Sequence, residues 1–307
     1  MRGRKNLPLE MLPIPEGTPL TFDIMAQAYL EDYVLQQYHS LTTARARVEH
    51  LRAVYGGWGA AAITADSVRT YQLRRKAQGV AAATVNRETS ALSRMFQLAI
   101  RRGQLKRMPF FPKRLQENPP RQGFFEHHEY VTVRRHLPPA YQDVLDFAYY
   151  SGWRRNEILG LTWDDIDAHG GVIRLPPQRS KTRTGRILPI SGPLQTVLDR
   201  RRKANLVGSE RVFGRDGVPV RTWRHALRDA CRKGKVPHRL LHDCRRTAAR
   251  NLVRAGVPER VAMLLTGHKT RAVFDRYNIV NEQELLTAGE RLASYVAGQP
   301  VSKHSLP

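Results

Sequence analysis

From Leu20 to Gly103 the chain alternates apolar stripes and polar faces at helical spacing. "LTFDIMAQAYLEDYVLQQYHS" predicts a first helix, and a second runs over about Ala44–Tyr55 until "GGWG" (56–59) breaks it. "TADSVRTYQLRRKAQG" predicts a third, with Thr64 or Asp66 as cap and Gly79 as stop. The fourth, "TVNRETSALSRMFQLAIRRG", aligns Val85, Leu92, Met95, Phe96, Ala99 and Ile100 on one stripe and ends at Gly103. No strand pattern interrupts them, so residues 19–107 predict a small all-α domain.

Around this domain the texture changes. Residues 1–18 are basic and then Pro-rich, which predicts a flexible arm, and the Pro-dense stretch 108–123 reads as a linker. Beyond it, "YQDVLDFAYYSG" predicts a buried helix ending at Gly152. The stretch "GGVIRLPPQRSKTRTGRILPI" holds two short β-type runs, Val172–Leu175 and Arg186–Ile190, around a basic turn, which predicts a hairpin. The acidic "WDDID" (163–167) before it reads as a turn, and helices resume from about Pro193. The expected fold class is mainly α with a small β-hairpin or sheet. An all-α domain is followed by a mixed α/β domain over 124–285 and a tail over 286–307.

Composition narrows the partners. The 307 residues carry 51 Lys and Arg against 27 Asp and Glu, a formal net charge of +24. Such an excess attracts polyanions by long-range field and counterion release. No Lys/Arg cluster flanks an apolar helix, so nucleic acid is favoured over a membrane surface. Two cysteines, Cys231 and Cys244, offer neither a disulfide framework nor a four-ligand zinc site. Neither a secretory signal nor an apolar run of spanning length is present, and a cytoplasmic setting is expected.

Several residues carry candidate chemistry, and each alone has a commoner structural explanation. Arg154 follows a helix end with Glu157 three positions on, the spacing of a surface ion pair. Lys181 sits in the basic turn, and turn lysines are usually solvated. His242 and Arg245, three apart in "LLHDCRRTAARNL", share a helix face. His268 in "LLTGHKT" stands at a helix boundary, and Tyr277 is one of eleven tyrosines. Together, in a cationic chain, they suit one phosphodiester. Arginine forks match its non-bridging oxygens and offset the charge of a five-coordinate phosphorus. A tyrosine supplies an oxygen nucleophile, and a lysine or histidine protonates the leaving oxygen. Acidic spacing for two Mg²⁺ ions and a Walker-type loop are both missing, so no metal or other cofactor is expected.

The ordered stretches "SGWRRNEILGLTWDDID", "SKTRTGRILPI", "LHDCRRTAARNLVRAGV", "LLTGHKT" and "FDRYNIV" resemble the catalytic domain of the tyrosine recombinase (phage integrase) family across 124–285. Residues 19–107 resemble its core-binding domain less specifically. The resemblance implies that Arg154 and Arg245 clamp the scissile phosphate and that Tyr277 attacks it, forming a 3′-phosphotyrosyl link. It implies Lys181 as general acid, His242 in proton transfer or hydrogen bonding, and His268 as a partner of a non-bridging oxygen. Glu157 would hold Arg154 in place. The family's His-x-Leu-Arg-His pattern departs here at Cys244 and Arg246, leaving His242 and Arg245 intact.

The implied partner is duplex DNA gripped by a two-domain clamp. Arg221, Arg224 and Arg228, continued by Arg246 and Arg250, are expected to form a phosphate-tracking face. Arg87 and Arg94 would approach DNA from the small domain. The resemblance further implies strand exchange between two sites through a Holliday junction, carried out by a homo-tetramer that is monomeric off DNA. Its C-terminal helix would pass to a neighbouring protomer, and a directionality factor is a candidate partner. Topoisomerase-like relaxation and non-catalytic DNA binding on the same scaffold stand as alternatives.

Overall fold

The computed structural model describes residues 19–38, 40–119, 121, 123–180, 184–204, 209–215, 218–219, 223–275 and 282–298. The chain divides into two compact units, Met1–Pro120 and Arg121–Pro307.

Among the described residues the first unit holds four α-helices: α1 (Phe22–Leu35), α2 (Leu41–Tyr55), α3 (Ala65–Ala77) and α4 (Ala82–Arg101). Of the two caps the sequence offers α3, Thr64 serves; its hydroxyl accepts from Ser67 N at 3.3 Å while Ser67 Oγ accepts from Thr64 N at 3.0 Å. The predicted stripe of α4 is buried at Val85, Leu92, Met95, Phe96 and Ala99, the last four in one cluster with Phe22, Met25, Tyr55 and Tyr71, while Ile100 is half-buried. Glu88, on the same helix, is fully buried and held by Tyr71 and Arg75, each at 2.8 Å.

The stretch expected to be a free linker is partly anchored. Met108 and Phe111 pack against the first unit's core. The side chain of Asn86, fully buried, mimics a strand neighbour for Leu115: its Nδ2 donates to Leu115 O at 2.8 Å and its Oδ1 accepts from Leu115 N at 2.9 Å. The same Nδ2 donates to Glu117 at 2.9 Å.

The second unit opens with α5 (His127–Arg135), α6 (Pro139–Ser151) and α7 (Arg155–Leu159). A small antiparallel sheet follows, with strands β1 (Ile166–Asp167), β2 (Val172–Leu175) and β3 (Arg186–Pro189) in that order. The predicted hairpin is present, with Val172 opposite Pro189 and Leu175 opposite Arg186. "WDDID" is more than a turn, because Asp165 caps Thr162 N at 2.9 Å and the chain then extends as β1, a third strand. After α8 (Gly192–Ala204), a pair of two-residue strands, β4 (Gly214–Arg215) and β5 (Val218–Pro219), interrupts the expected run of helices. Then come α9 (Trp223–Lys233), α10 (Leu241–Arg254), α11 (Glu259–Thr266), α12 (Arg271–Phe274) and α13 (Glu282–Ala297). The core gathers Phe125, Phe147, Trp153, Phe213, Trp223 and Cys244.

Two glycines let this scaffold close. Gly152 ends α6 at φ +63°, and a Cβ there would meet Ala248 Cβ at 2.8 Å and Thr266 Cγ2 at 3.0 Å. Only a residue without a side chain allows α6, α10 and the end of α11 to meet so closely. Gly267 ends α11 at φ +71°, and its missing Cβ is replaced by the Arg186 guanidinium. Among the described residues no helix is long and apolar enough to cross a membrane.

Asn86→Ala strands both backbone groups of Leu115. We expect a loss of about 1–3 kcal/mol in urea unfolding of the full chain and faster proteolysis at 108–117. Unchanged protease resistance would mean that the apolar anchors Met108 and Phe111 suffice.

Candidate active site

The site grows from the N-terminus of α7. Arg154 caps this helix; its backbone N–H donates to Glu157 Oε2 at 2.9 Å and its Nη1 to Glu157 Oε1 at 3.1 Å. Glu157 is 2% exposed. Burial alone would push its carboxyl up, but the Arg186 charge, the Arg154 amide and the Arg154 charge overcome that and hold it below its usual range.

Arg245 enters the same space from α10. Only 1% of it is exposed, so its charge depends on carbonyl oxygens. Its Nη1 donates to Gly152 O at 2.9 Å and also to Thr266 O, and its Nη2 donates to Gly267 O at 3.1 Å. Arg154 Nη2 reaches the same Gly267 O at 3.3 Å. Two arginines 91 positions apart in sequence (245 − 154) thus converge on one carbonyl.

His268 completes this turn. Its Nδ1 lies 2.7 Å from Thr266 Oγ1, and its ring meets Phe274 edge-on with centroids 5.6 Å apart. Burial pushes the imidazole down to about 3, and the charges of Arg245, Arg154, His242 and Arg186 push the same way. His268 is therefore neutral near pH 7. His242 is exposed in the first turn of α10, near enough for its charge to reach His268. The geometry thus gathers five of the expected residues: Arg154, Glu157, His242, Arg245 and His268. Lys181 and Tyr277 lie outside the described residues.

One member of the cluster was not anticipated. Arg186, on β3, pairs with Glu157, donates to Thr266 O at 2.8 Å and stacks its guanidinium 5.0 Å from the Trp153 ring centroid. A signal for it does exist in the strand. Side chains alternate along β3, and Arg186 stands in phase with buried Leu188 rather than exposed Ile187. A charge on the inward phase of a strand needs a buried counter-charge, and here that is Glu157.

The expected DNA-facing arginines separate into two groups. Arg87 on α4 and Arg224 and Arg228 on α9 are exposed. Arg94 is paired with Asp32 at 3.3 Å, and Arg221 lies outside the described residues. Arg250 and Arg246 do not continue a basic face. Arg250 is 8% exposed, bound to Glu126 at 2.6 Å and stacked on Phe124. Arg246 is half-buried, donating to Arg121 O and pairing with Asp243 at 3.5 Å. Both come from α10, whose buried side extends further round the helix than the count of arginines suggests.

Two family profiles match the chain: the phage integrase family over residues 126–284, and the N-terminal SAM-like domain of phage integrases over residues 26–103. Tyrosine recombinase XerC of Mycobacterium bovis (strain BCG / Pasteur 1173P2) is 27% identical over 297 residues, spanning 86% of this chain and 98% of that protein. The integrase of Salmonella phage P22 is 28% identical over 165 residues, 50% of this chain and 43% of that protein. Among solved structures, a lambda integrase tetramer bound to a Holliday junction aligns with a TM-score of 0.72 at 17% identity, covering 95% of this chain and 82% of that one. The Tn1549 transposon integrase in complex with circular intermediate DNA gives 0.69 at 16% identity, covering 88% and 99%. The structural likenesses establish a common fold, and with the integrase profile matched over more than half of its length, the chain belongs to the phage integrase family of tyrosine recombinases.

Proposed function

We propose that this protein is a site-specific DNA recombinase that cuts and rejoins duplex DNA through a 3′-phosphotyrosyl link at Tyr277, exchanging strands between two sites. The observation that carries this reading is the convergence of Arg154 and Arg245 on Gly267 O beside neutral His268. Among the described residues, three guanidiniums share this space with one carboxylate, that of Glu157. Such a site has a standing deficit of negative charge, and a phosphodiester supplies it.

In this mechanism Arg154 and Arg245 bind the non-bridging oxygens and offset the charge that builds on them as the phosphorus becomes five-coordinate. The Tyr277 oxygen attacks as its phenolic proton passes to His242, the bond to the sugar 5′-oxygen breaks, and Lys181 delivers a proton to that oxygen. His242, at the exposed edge of α10, assists proton transfer at the phosphate, while His268 donates a hydrogen bond to a non-bridging oxygen. The 5′-hydroxyl of a second duplex then reverses the attack, and the strand is rejoined without loss of bond energy. Glu157 keeps Arg154 in place throughout.

Residues 19–107 serve as a DNA-binding domain through Arg87 and Arg94, and 124–285 as the catalytic domain, with Arg224 and Arg228 tracking the backbone. Assembly is a tetramer on paired sites. Helix α13 supports this, since Leu285, Leu286, Leu292, Tyr295 and Val296 are all exposed on it. A helix with so much apolar surface is suited to a neighbouring protomer.

Covalent capture tests the chemistry. Duplexes carrying the sequences that flank the coding region are incubated with wild-type and Tyr277→Phe protein in chelator, then quenched in detergent. A detergent-stable adduct at a DNA 3′ end is expected for the wild type alone. Binding to the native site with no adduct would leave a DNA-binding protein without cleavage activity.

Deleting residues 282–307 should leave single-site binding intact while abolishing the four-protomer complex on paired sites in gel filtration. Tetramers that survive the deletion would remove α13 from assembly.

The neutral state of His268 has a stability signature. The unfolded imidazole takes up a proton below its ordinary value of 6.5, which the folded one refuses down to about 3. Stability is therefore lost as pH falls through that window. Between pH 6.5 and about pH 5, urea unfolding of wild type should lose on the order of 2 kcal/mol more than His268→Gln. Parallel losses would mean that His268 is readily protonated in the fold.

A further inference from the structure

Thr266 stands at the centre of the site, among Arg186, Arg245 and His268. It is fully buried. Its methyl is held toward Gly152, where a Cβ would come within 3.0 Å, and its carbonyl accepts from Arg186 at 2.8 Å and from Arg245. Its hydroxyl lies 2.6 Å from Ala262 O and 2.7 Å from His268 Nδ1. A hydroxyl has a single hydrogen to donate, so it can donate to only one of these neighbours at a time.

That choice fixes the imidazole. With the hydroxyl turned to Ala262 O, Nδ1 must carry its own hydrogen to meet Oγ1, and the Nε2 of a neutral ring is then an acceptor. Phosphate oxygens are acceptors too, so this arrangement sets two lone pairs against each other. With the hydroxyl turned to Nδ1, the ring hydrogen sits on Nε2 and can be donated. Protonating the ring would serve as well, but its burial and then the charges of Arg245, Arg154, His242 and Arg186 oppose a further positive charge. The one nearby carboxylate, Glu157, is already paired with Arg154 and Arg186.

We propose that Thr266 is a positioning residue whose hydroxyl selects the tautomer of His268, and that a bound DNA phosphate draws it into donating to Nδ1 so that Nε2–H faces the phosphate. This inference rests on the reading of His268 as a donor to the scissile phosphate. The change costs little at the other end. Ala262 O is the i−4 carbonyl that α11 already pairs with the Thr266 amide, so it keeps a partner when the hydroxyl leaves. The proton count also balances, since the ring loses the hydrogen of Nδ1 and gains one at Nε2, so it stays neutral throughout.

The test uses Thr266→Val, which keeps the shape and removes the hydroxyl, and Thr266→Ser, which keeps the hydroxyl. Single-turnover cleavage is measured at saturating protein on the duplex recovered by covalent capture, with the dissociation constant measured in parallel. Thr266→Val should cleave about 10–100-fold more slowly with DNA affinity nearly unchanged, and Thr266→Ser should recover most of the rate. In addition, ¹⁵N shifts of histidine-labelled Tyr277→Phe protein bound to that duplex should show His268 with its hydrogen on Nε2, a state that Thr266→Val weakens. Wild-type cleavage by Thr266→Val, a serine variant as slow as the valine one, or an Nδ1–H ring in the complex would each overturn the proposal. An absence of any wild-type adduct would instead count against the recombinase reading itself.

Discussion

Concentrating guanidinium groups in a buried space is the constraint around which the second unit is organised. Arg245 at 1% exposure and Arg186 at 9% have lost most of their water. Only one carboxylate, Glu157, balances them and Arg154 among the described residues. The remaining stabilisation comes from carbonyl dipoles at Gly152, Thr266 and Gly267, where two helices stop and leave acceptors unpaired. The two left-handed glycines are therefore electrostatic as well as steric devices. Each ends a helix so that its terminal oxygens can turn toward a cation.

This organisation also explains why the site suits an anion and why His268 stays neutral. In the proposed reaction a phosphate would meet donors already held by Glu157 and by the helix-end carbonyls. Burial first, and then the positive field of the arginines, suppress protonation of His268, so its contribution to the proposed reaction comes from a hydrogen bond. The proposed substrate is opposite in charge to the site, and Arg186 and Glu157 stand beside Arg154 and Arg245 to shape its field.

Much of this was legible before any coordinates. The apolar stripe of α4, the Thr64 cap, the Gly152 stop and the β2–β3 hairpin follow from local periodicity and turn chemistry, which act over a few residues. Five ordered motifs pointed to Arg154, Glu157, His242, Arg245 and His268 as one set. What escaped were features that depend on partners far along the chain. Arg186 looks like the first residue of a short strand beside a basic turn until Glu157 is seen behind it. Arg250 looks like a DNA contact until Glu126, 124 positions away (250 − 126), claims it. Asn86 looks like an ordinary polar helix residue until Leu115 comes back along it. Charge counts along a helix cannot reveal which arginines are spoken for, because the answer lies in tertiary contacts.

The wiring of Arg245 bears on how the protein is made. Its guanidinium depends on carbonyls from position 152, made well before α10, and from 266 and 267, made after it. Until Gly267 has left the ribosome, that charge has no dry place to go, and α10 cannot seat its inner face. A message cut short within α11 yields a polypeptide with nearly all the cluster's residues and no assembled clamp. Such a fragment lacks the Thr266 and Gly267 carbonyls that hold Arg245, so the guanidinium cluster cannot assemble without the end of α11.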